Sequence, residues 1–231
     1  MNSSLSLATK PIKVLTLLLS CAFLLALAHI VSFSLYYYDA ISPDDWYYFS
    51  LFDLDEEESI GTWFSALILF FAAQLLLLIA MFNKGTPQTY RLSWFILAFG
   101  FCFLSLDEVA GFHELINTVV TIAHWTFFGL LAVILVAIIY ARFLWNLPTR
   151  TRSFFIVSGL IYIGGAIGIE WSTIWYEEHD HLDSLAYNLW NALEELLEML
   201  GVSVFIYALL DYMSRLHSIE SVKVAFEYPC S

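Results

Sequence analysis

Hydrophobic residues fill six long stretches of the chain, and polar segments separate them. A helix needs about 20 mostly apolar residues to cross the hydrocarbon core of a bilayer. We therefore expect each stretch to form a transmembrane helix. The predicted spans are 14–33, 62–82, 92–106, 122–141, 154–169 and 196–213. The third and fifth are short, so their polar ends are expected to extend into the membrane.

The composition indicates that lipid is part of the solvent of this chain. Of its 231 residues, 60% are hydrophobic and only 13% are charged. A soluble domain of this length cannot bury so much apolar surface. We predict an all-α fold, in which residues 1–231 form a single six-helix transmembrane domain. The net charge of −13 argues against nucleic acid as a partner.

The first apolar stretch also has features of a removable signal. Lys10 and Lys13 precede it, and it contains the small-x-small pattern Ala26-Leu27-Ala28 that signal peptidases cleave. The segment 18–21, which ends in Cys21, loosely resembles a lipoprotein processing site. We interpret the stretch as a retained transmembrane helix.

The basic residues predict the orientation of the helices. With six spans, all nine fall at the termini or in the second or fourth loop. Lysine and arginine favour the cytoplasmic side of a membrane protein. Both termini are therefore predicted to be cytoplasmic, and the short loops are typical of a bacterial inner membrane. The nine are Lys10, Lys13, Lys84, Arg91, Arg142, Arg150, Arg152, Arg215 and Lys223.

The acidic residues have the opposite distribution. All but three of the 22 fall on the predicted outer side, the exceptions being Asp211, Glu220 and Glu227. We expect the acidic runs 53–58 and 177–183 to be solvated loops. The aromatic clusters nearby are typical of a belt at the membrane interface. These clusters are Tyr36-Tyr37-Tyr38, Trp46-Tyr47-Tyr48 and Trp171, Trp175 and Tyr176.

A first group of candidate ligands follows the third span. If the helix continues, Asp107 and Glu114 share one face, and Glu108 lies beside it. Gly111 would allow a bend that brings His113 towards that face. The two acids at 107 and 108 lie at the C-terminal end of their span, where the helix dipole opposes negative charge. The dipole therefore does not account for them.

Two further histidines are predicted near the outer ends of spans. His124 is expected about one turn inside the fourth span and is a candidate ligand. His29 is expected about one turn inside the first span. Because His29 stands alone in an apolar stretch, we interpret it as a core residue rather than a ligand.

A second candidate is Glu170, which ends the fifth span. Gly164 and Gly168 precede it with the small-xxx-small spacing that lets a neighbouring helix approach closely. Such an approach would hold the Glu170 carboxylate near other helices.

The third group opens the sixth span. Asn188, Asn191, Glu195 and Glu198 follow helical spacing, and Glu194 lies beside this stripe. The helix dipole alone could account for Glu194 and Glu195 at a helix N-terminus.

Carboxylates close together in a bilayer must be neutralised or paired, since each otherwise costs several kcal/mol. No lysine or arginine is predicted on the outer side. Protons, histidines or a bound cation remain, and a divalent metal would compensate several carboxylates at once. Zn, Fe or Mn would suit mixed carboxylate and imidazole ligands, and Ca would suit oxygen ligands alone. The predicted metal ligands are Asp107, Glu108, His113, Glu114, His124, Glu170, Glu194, Glu195 and Glu198.

Two alternatives to a metal site stay open. The acids could be protonated polar groups between helices, or solvated helix ends. The motif evidence is limited, because di-metal helical bundles use Glu-x-x-His pairs and this chain has only Glu195-x-x-Glu198 and the adjacent His113-Glu114. The cysteines Cys21, Cys102 and Cys230 favour neither a disulfide framework nor a zinc site.

One short motif resembles a known family. Leu106-Asp107-Glu108 is similar to a stretch of alkaline ceramidases, which are membrane zinc hydrolases with seven spans. The match covers three residues. The His-x-x-x-His pattern expected in the last helix of that family is absent, so we do not assign the chain to it.

Three classes of function fit the sequence. The first is a metal-dependent membrane hydrolase or oxidoreductase acting on a lipid-like or periplasmic substrate, with Glu108 or Glu114 as the base. The second is a divalent-cation or proton transporter, although Gln74 and Asp211 are the main polar residues of the inner halves of the spans. The third is a non-catalytic sensor, or an accessory subunit bound to another membrane protein or to copies of itself.

Overall fold

The computed structural model describes residues 10–38, 40, 49–82, 88–119, 123–182 and 184–215. All regular secondary structure among these residues is helical. The helices are α1 (Pro11–Tyr37), α2 (Ile60–Phe82), α3 (Gln88–Ala110), α4 (Phe112–Val119), α5 (Trp125–Asn146), α6 (Thr149–Ile163), a π-helix (Gly164–Ile169), α7 (Glu170–Glu178) and α8 (Leu185–Arg215).

Some predicted features lie outside the described residues. They are the aromatic cluster Trp46-Tyr47-Tyr48, the ends of the chain with Cys230, Asp183 at the end of the second acidic run, and the side chains of His113, Glu114 and Glu177.

Within the described ranges, six helices are long and apolar enough to cross a membrane, so the prediction of six apolar spans is confirmed. The third and fifth are longer than their apolar stretches, covering Tyr90–Ala110 and Thr149–Tyr176. The last helix begins at Leu185, well before the predicted residue 196. The polar stripe at its start is therefore helical, and the extra turns carry the acidic residues that flank each apolar stretch.

Helix α8 is the centre of the bundle. It packs against α1, α2, α6 and the π-helix. Close packing against α6 depends on Gly201, because a Cβ atom there would lie 2.8 Å from the backbone nitrogen of Tyr162. Since α8 has neighbours on most sides, both its apolar and its polar residues become buried.

Helix α5 is the most peripheral of the six. It touches α3, α4, α6 and the π-helix only lightly. Ile134, Leu135, Ile138 and Ile139 are exposed along it. A helix that is apolar on its outward faces suits contact with lipid tails. The rings of Tyr36, Tyr37, Tyr38, Trp171 and Trp175 are also exposed.

Aromatic rings form the core at one end of the bundle. Trp94 of α3 is almost fully buried, meets Phe143 and Phe155 edge-on and stacks on Tyr212. These four residues come from α3, α5, α6 and α8. Edge-on and offset contacts of this kind stabilise beyond the area that they bury, so the cluster holds four helices together.

The same end contains the basic residues, and we call it the basic end. The buried carboxylate of Asp211 forms ion pairs with two arginines. Its Oδ2 lies 3.2 Å from Nε of Arg150 and 3.0 Å from Nε of Arg215. The opposite end, where α1 and α3 finish and α8 begins, is called the acidic end. Every described lysine and arginine lies near the basic end, namely Lys10, Lys13, Arg91, Arg142, Arg150, Arg152 and Arg215.

Candidate functional site

The third span ends at a break rather than continuing. Helix α3 finishes at Ala110, and Gly111 has a φ of +54°, in the left-handed region that glycine adopts most easily. A separate helix, α4, begins at Phe112. The expectation that Asp107 and Glu114 share the face of one continuous helix is therefore wrong. The bend predicted at Gly111 is confirmed.

Asp107 and Glu108 occupy the last turn of α3. The backbone oxygen of Asp107 accepts a hydrogen bond from the amide of Gly111 at 2.8 Å. One turn earlier, Ser105 donates to the backbone oxygen of Ala66 in α2 at 2.8 Å. This contact ties the acidic end of α3 to α2, and Glu108, three residues further on, lies on the same side of the helix as Ser105.

Helix α8 brings its acids to the same place. Glu195 interacts electrostatically with Glu108, Glu198, Asp55 and Glu170. The neighbours of Glu198 include Glu108, Glu170 and Asp107. Four separate segments thus contribute to one assembly, which we call the carboxylate cluster. Its members are Asp55, Asp107, Glu108, Glu170, Glu194, Glu195 and Glu198.

A π-helix positions Glu170. It covers Gly164–Ile169 in the fifth span, directly before Glu170. Short π-helical insertions in α-helices are frequent at functional sites, because the extra residue turns the following side chains to a new face. Here the residue that follows is turned towards α8, where it meets Glu194.

The glycine that allows close packing is not one of the two that the sequence indicated. A Cβ on Gly165 would lie 2.7 Å from the backbone oxygen of Glu194 and 3.1 Å from Cγ of Glu198. Gly164 has nothing within 4 Å, and Gly168 meets only a backbone atom of its own segment at 3.9 Å. The prediction that Gly164 and Gly168 allow close helix packing assumed α-helical spacing. The π-helix changes which glycine faces α8.

Glu170 has several hydrogen-bond partners. The indole of Trp125 donates to Oε1 at 2.9 Å, and the hydroxyl of Thr173 lies 3.5 Å from Oε2. The Glu194 carboxyl of α8 is an electrostatic neighbour of Glu170.

His124 caps a helix instead of lying inside a span. It is the residue before α5, so its expected place one turn inside the fourth span is wrong. Oδ1 of Asn117 accepts a hydrogen bond from the backbone amide of Trp125 at 2.7 Å. The Nδ2 group of Asn117 therefore donates to Nε2 of His124 at 3.1 Å. The other ring nitrogen lies 3.1 Å from the hydroxyl of Thr126. Both nitrogens are engaged, and Nε2 is 3.9 Å from Glu170.

His29 is a core residue, as the sequence predicted. Its side chain is fully buried, and Nδ1 accepts the amide of Leu54 at 3.0 Å. Because Nδ1 is an acceptor, the proton is on Nε2, which donates to the backbone oxygen of Asn188 at 3.1 Å. The ring thus joins α1, the first loop and α8.

The acidic run 53–58 is not simply a solvated loop. Asp53 is buried, with Oδ1 3.4 Å from Nδ1 of His29. Asp55 accepts hydrogen bonds from Asn191 at 2.7 Å and from the hydroxyl of Tyr187 at 3.1 Å. Asp55 was therefore missed as a site residue. The asparagine stripe on α8 was the available signal, since buried amides require partners.

A small recess opens within the carboxylate cluster. Its polar lining is Ser65, Glu108, Tyr162 and Glu198, and the rest is apolar. The Tyr162 hydroxyl is close enough to the Glu198 carboxyl to interact with it electrostatically. Ser65 and Tyr162 were not predicted, because a lone serine or tyrosine in an apolar span has no distinguishing pattern.

The metal-ligand geometry is not preformed among the described side chains. No three histidine, cysteine, aspartate or glutamate residues in that part of the chain stand together in an arrangement that would hold a metal ion. Instead, the indole of Trp125 donates to Glu170 and the amide of Asn191 donates to Asp55.

Six apolar helices of spanning length are the architecture of a multi-pass membrane protein. Within that class, the chain belongs to the family described as "Domain of unknown function (DUF8692)", which matches residues 16–213. No curated protein and no solved structure matches the chain. The matched region contains every residue of the carboxylate cluster.

Proposed function

We propose that this membrane protein binds a cation in its carboxylate cluster, in the outer half of the bilayer. The convergence of Glu108, Glu195 and Glu198 from two different spans carries the proposal. Grouped carboxylates repel one another, and burial weakens their solvation. A fold that nevertheless brings them together needs a compensating positive charge.

The protein itself supplies little of that charge. All the lysines and arginines in the described ranges lie near the basic end. A divalent metal ion suits Glu108, Glu195 and Glu198, because hard cations prefer carboxylate oxygens.

The proposed orientation follows from the basic residues. With both termini in the cytoplasm, the positive-inside rule places the basic end there. The carboxylate cluster then faces the outer side of what we propose is a bacterial plasma membrane. A cation would reach it from the outside through the first loop, where Asp55 is exposed.

A bound metal would give the site hydrolytic chemistry. A divalent ion lowers the pKa of a coordinated water, and the hydroxide formed can attack an ester, amide or phosphodiester. Glu108 is the candidate base, because it lines the recess. A substrate with an acyl chain could approach it from the outer leaflet. A redox metal would support oxidation instead.

Transport across the whole membrane has less support. Gln74 lies on the exposed surface of α2 rather than inside the bundle. Asp211 is paired with two arginines, and the neighbouring core is aromatic. These described residues supply no continuous polar route beyond the cluster, so a one-sided site is the better proposal.

Metal binding by the purified protein tests the proposal. We expect the detergent-solubilised full chain to retain or bind a divalent cation in a defined ratio, measured by elemental analysis and by titration with Mn²⁺ and Zn²⁺. The variants Glu108→Gln and Glu198→Gln should lose it. Glu178→Gln is the matched control, since Glu178 is exposed at the end of α7. Equal metal content in all four proteins, or none in the wild type, would overturn the proposal.

A further inference from the structure

We infer that the recess lined by Ser65, Glu108, Tyr162 and Glu198 is where the cation binds, with the Ser65 hydroxyl as a direct ligand. The inference rests on the proposed function and names its ligand class. The ion would be a hard divalent cation held by oxygen alone, of the type of Mn²⁺, Mg²⁺ or Ca²⁺, rather than a zinc ion held by histidine.

The state of the Ser65 hydroxyl carries the inference. Ser65 is 4% exposed and lines the recess, yet its oxygen has no hydrogen-bond partner among the described residues. A buried hydroxyl without a partner is unfavourable, because it has lost its hydrogen bonds to water. Such a group at the edge of a carboxylate cluster points to a ligand.

Other serines in the helices show what Ser65 would ordinarily do. Ser20, Ser32 and Ser153 each donate to the backbone oxygen four residues earlier, at 2.8 to 3.0 Å. This bond is always available to a serine inside a helix. Ser65 makes no such bond among the described residues, so its hydroxyl is available to a ligand.

The recess draws its oxygens from four helices. Ser65 belongs to α2, Glu108 to α3, Tyr162 to α6 and Glu198 to α8. Tyr162 and Glu108 both interact electrostatically with the Glu198 carboxylate. An ion between the two acids would replace their repulsion with attraction.

The walls of the recess strengthen that attraction. Ile68, Leu69, Met199 and Val202 complete its lining. Apolar walls lower the local dielectric, in which charges interact more strongly than in water. The recess therefore provides an environment where two carboxylates and one divalent ion form a tight neutral unit.

The ligand chemistry selects the class of ion. The ring nitrogens of His29 and His124 are already engaged in hydrogen bonds. Ser, Tyr and Glu provide only oxygen atoms, which favour Mg²⁺, Ca²⁺ and Mn²⁺ over softer ions.

Substitution of Ser65 tests the inference, and Ser203 provides a matched control. Ser203 is also a buried serine without a partner among the described residues, but it does not line the recess. Both Ser65→Ala and Ser203→Ala remove one unsatisfied hydroxyl. We expect Ser65→Ala to weaken Mn²⁺ binding at least about tenfold, as measured by calorimetry and electron paramagnetic resonance. Ser203→Ala should bind Mn²⁺ like the wild type.

A thiol at the same position gives an independent readout. Ser65→Cys keeps the size of the side chain but replaces oxygen with a softer sulfur, so it should shift the preference from Mn²⁺ towards Cd²⁺. This shift is measurable even if Ser65→Ala folds poorly.

The results of these experiments distinguish the role of Ser65 from the proposed cation binding itself. Wild-type Mn²⁺ affinity in Ser65→Ala and an unchanged metal preference in Ser65→Cys would overturn the role of Ser65, while Glu108→Gln and Glu198→Gln could still abolish binding. A nitrogen hyperfine coupling to the bound Mn²⁺ in pulsed electron paramagnetic resonance would overturn the oxygen-only site, because it would identify a nitrogen ligand such as histidine. Failure of the wild type to bind any cation would overturn the proposed function itself.

Discussion

The indole nitrogen of Trp125 donates a hydrogen bond to Oε1 of Glu170 at 2.9 Å, joining the start of α5 to the start of α7. Trp125→Phe keeps an aromatic ring but removes this donor. A hydrogen bond to a charged carboxylate contributes about 1.5–3 kcal/mol. We expect the free energy of unfolding in detergent to fall by about that amount, as measured by denaturant titration.

Trp171→Phe is the control for that substitution, because Trp171 is 53% exposed and follows Glu170 directly. It should leave stability nearly unchanged. A double-mutant cycle with Glu170→Gln would isolate the contact. Equal losses from the two tryptophan substitutions would show that the indole hydrogen bond has no special role.

Gly165 and Gly164 provide a sharper comparison, since they are adjacent in the same π-helix. Gly165→Ala would place a methyl group 2.7 Å from the backbone oxygen of Glu194, whereas Gly164→Ala meets nothing within 4 Å. Overpacking of this kind costs about 1–3 kcal/mol. We expect Gly165→Ala to lower the midpoint of thermal unfolding and to weaken metal binding. Gly164→Ala should do neither, and a reversed order would contradict the packing described at Gly165.

The role of His29 can be separated from metal binding. His29→Leu removes the acceptor for the buried amide of Leu54. An unpaired buried amide costs about 1–3 kcal/mol. We therefore expect lower thermal stability with an unchanged ratio of bound Mn²⁺ in the folded fraction. His179→Leu, at an exposed histidine, is the control. Loss of the metal from well-folded His29→Leu would instead identify this histidine as a ligand.

Two arginines share Asp211, so their substitutions should not be additive. Arg150→Gln leaves the contact from Arg215 at 3.0 Å, and Arg215→Gln leaves the contact from Arg150 at 3.2 Å. Each single change should lower the unfolding midpoint only slightly. The double variant leaves a buried carboxylate without either cation, and its loss should exceed the sum of the single losses. Simple additivity would show that the two contacts are independent.

The proposed topology can be tested with a natural cysteine. In a Cys21→Ala, Cys102→Ala background, Cys230 is the remaining thiol of the chain. A membrane-impermeant maleimide should label it in inverted vesicles but not in right-side-out vesicles, because the C-terminus is expected to be cytoplasmic. A cysteine introduced at Asp180 in place of Cys230 should show the opposite pattern. Labelling of both from the same side would exclude six spans.

The spans were predictable because their signal is local. An apolar stretch of about 20 residues identifies a membrane helix without any knowledge of its neighbours. The same logic predicted that His29 belongs to the core. The boundaries were less accurate, and α8 begins early because the polar stripe from Asn188 to Glu198 faces other helices instead of ending the span.

The assembly of the cluster depends on contacts that a linear pattern does not encode. Asp55 was assigned to a solvated run, but Asn191 and Tyr187 bind it from the far end of the chain. The sequence did not single out Ser65, because only the folded structure shows that its hydroxyl is buried without a hydrogen-bond partner among the described residues. The close approach of the fifth and sixth spans was anticipated at the wrong glycines, since the π-helix had no recognisable pattern in the sequence.

The π-helix before Glu170 makes the cluster sensitive to how six residues of one span are wound. Wound as an ordinary α-helix, Gly164–Ile169 would turn about 100° further than they do as a π-helix, and everything beyond them would rotate with them. Glu170 would then turn away from Glu194, although every residue of the cluster would still be present. Within this fold, the local winding of the fifth span therefore decides whether these carboxylates assemble or separate.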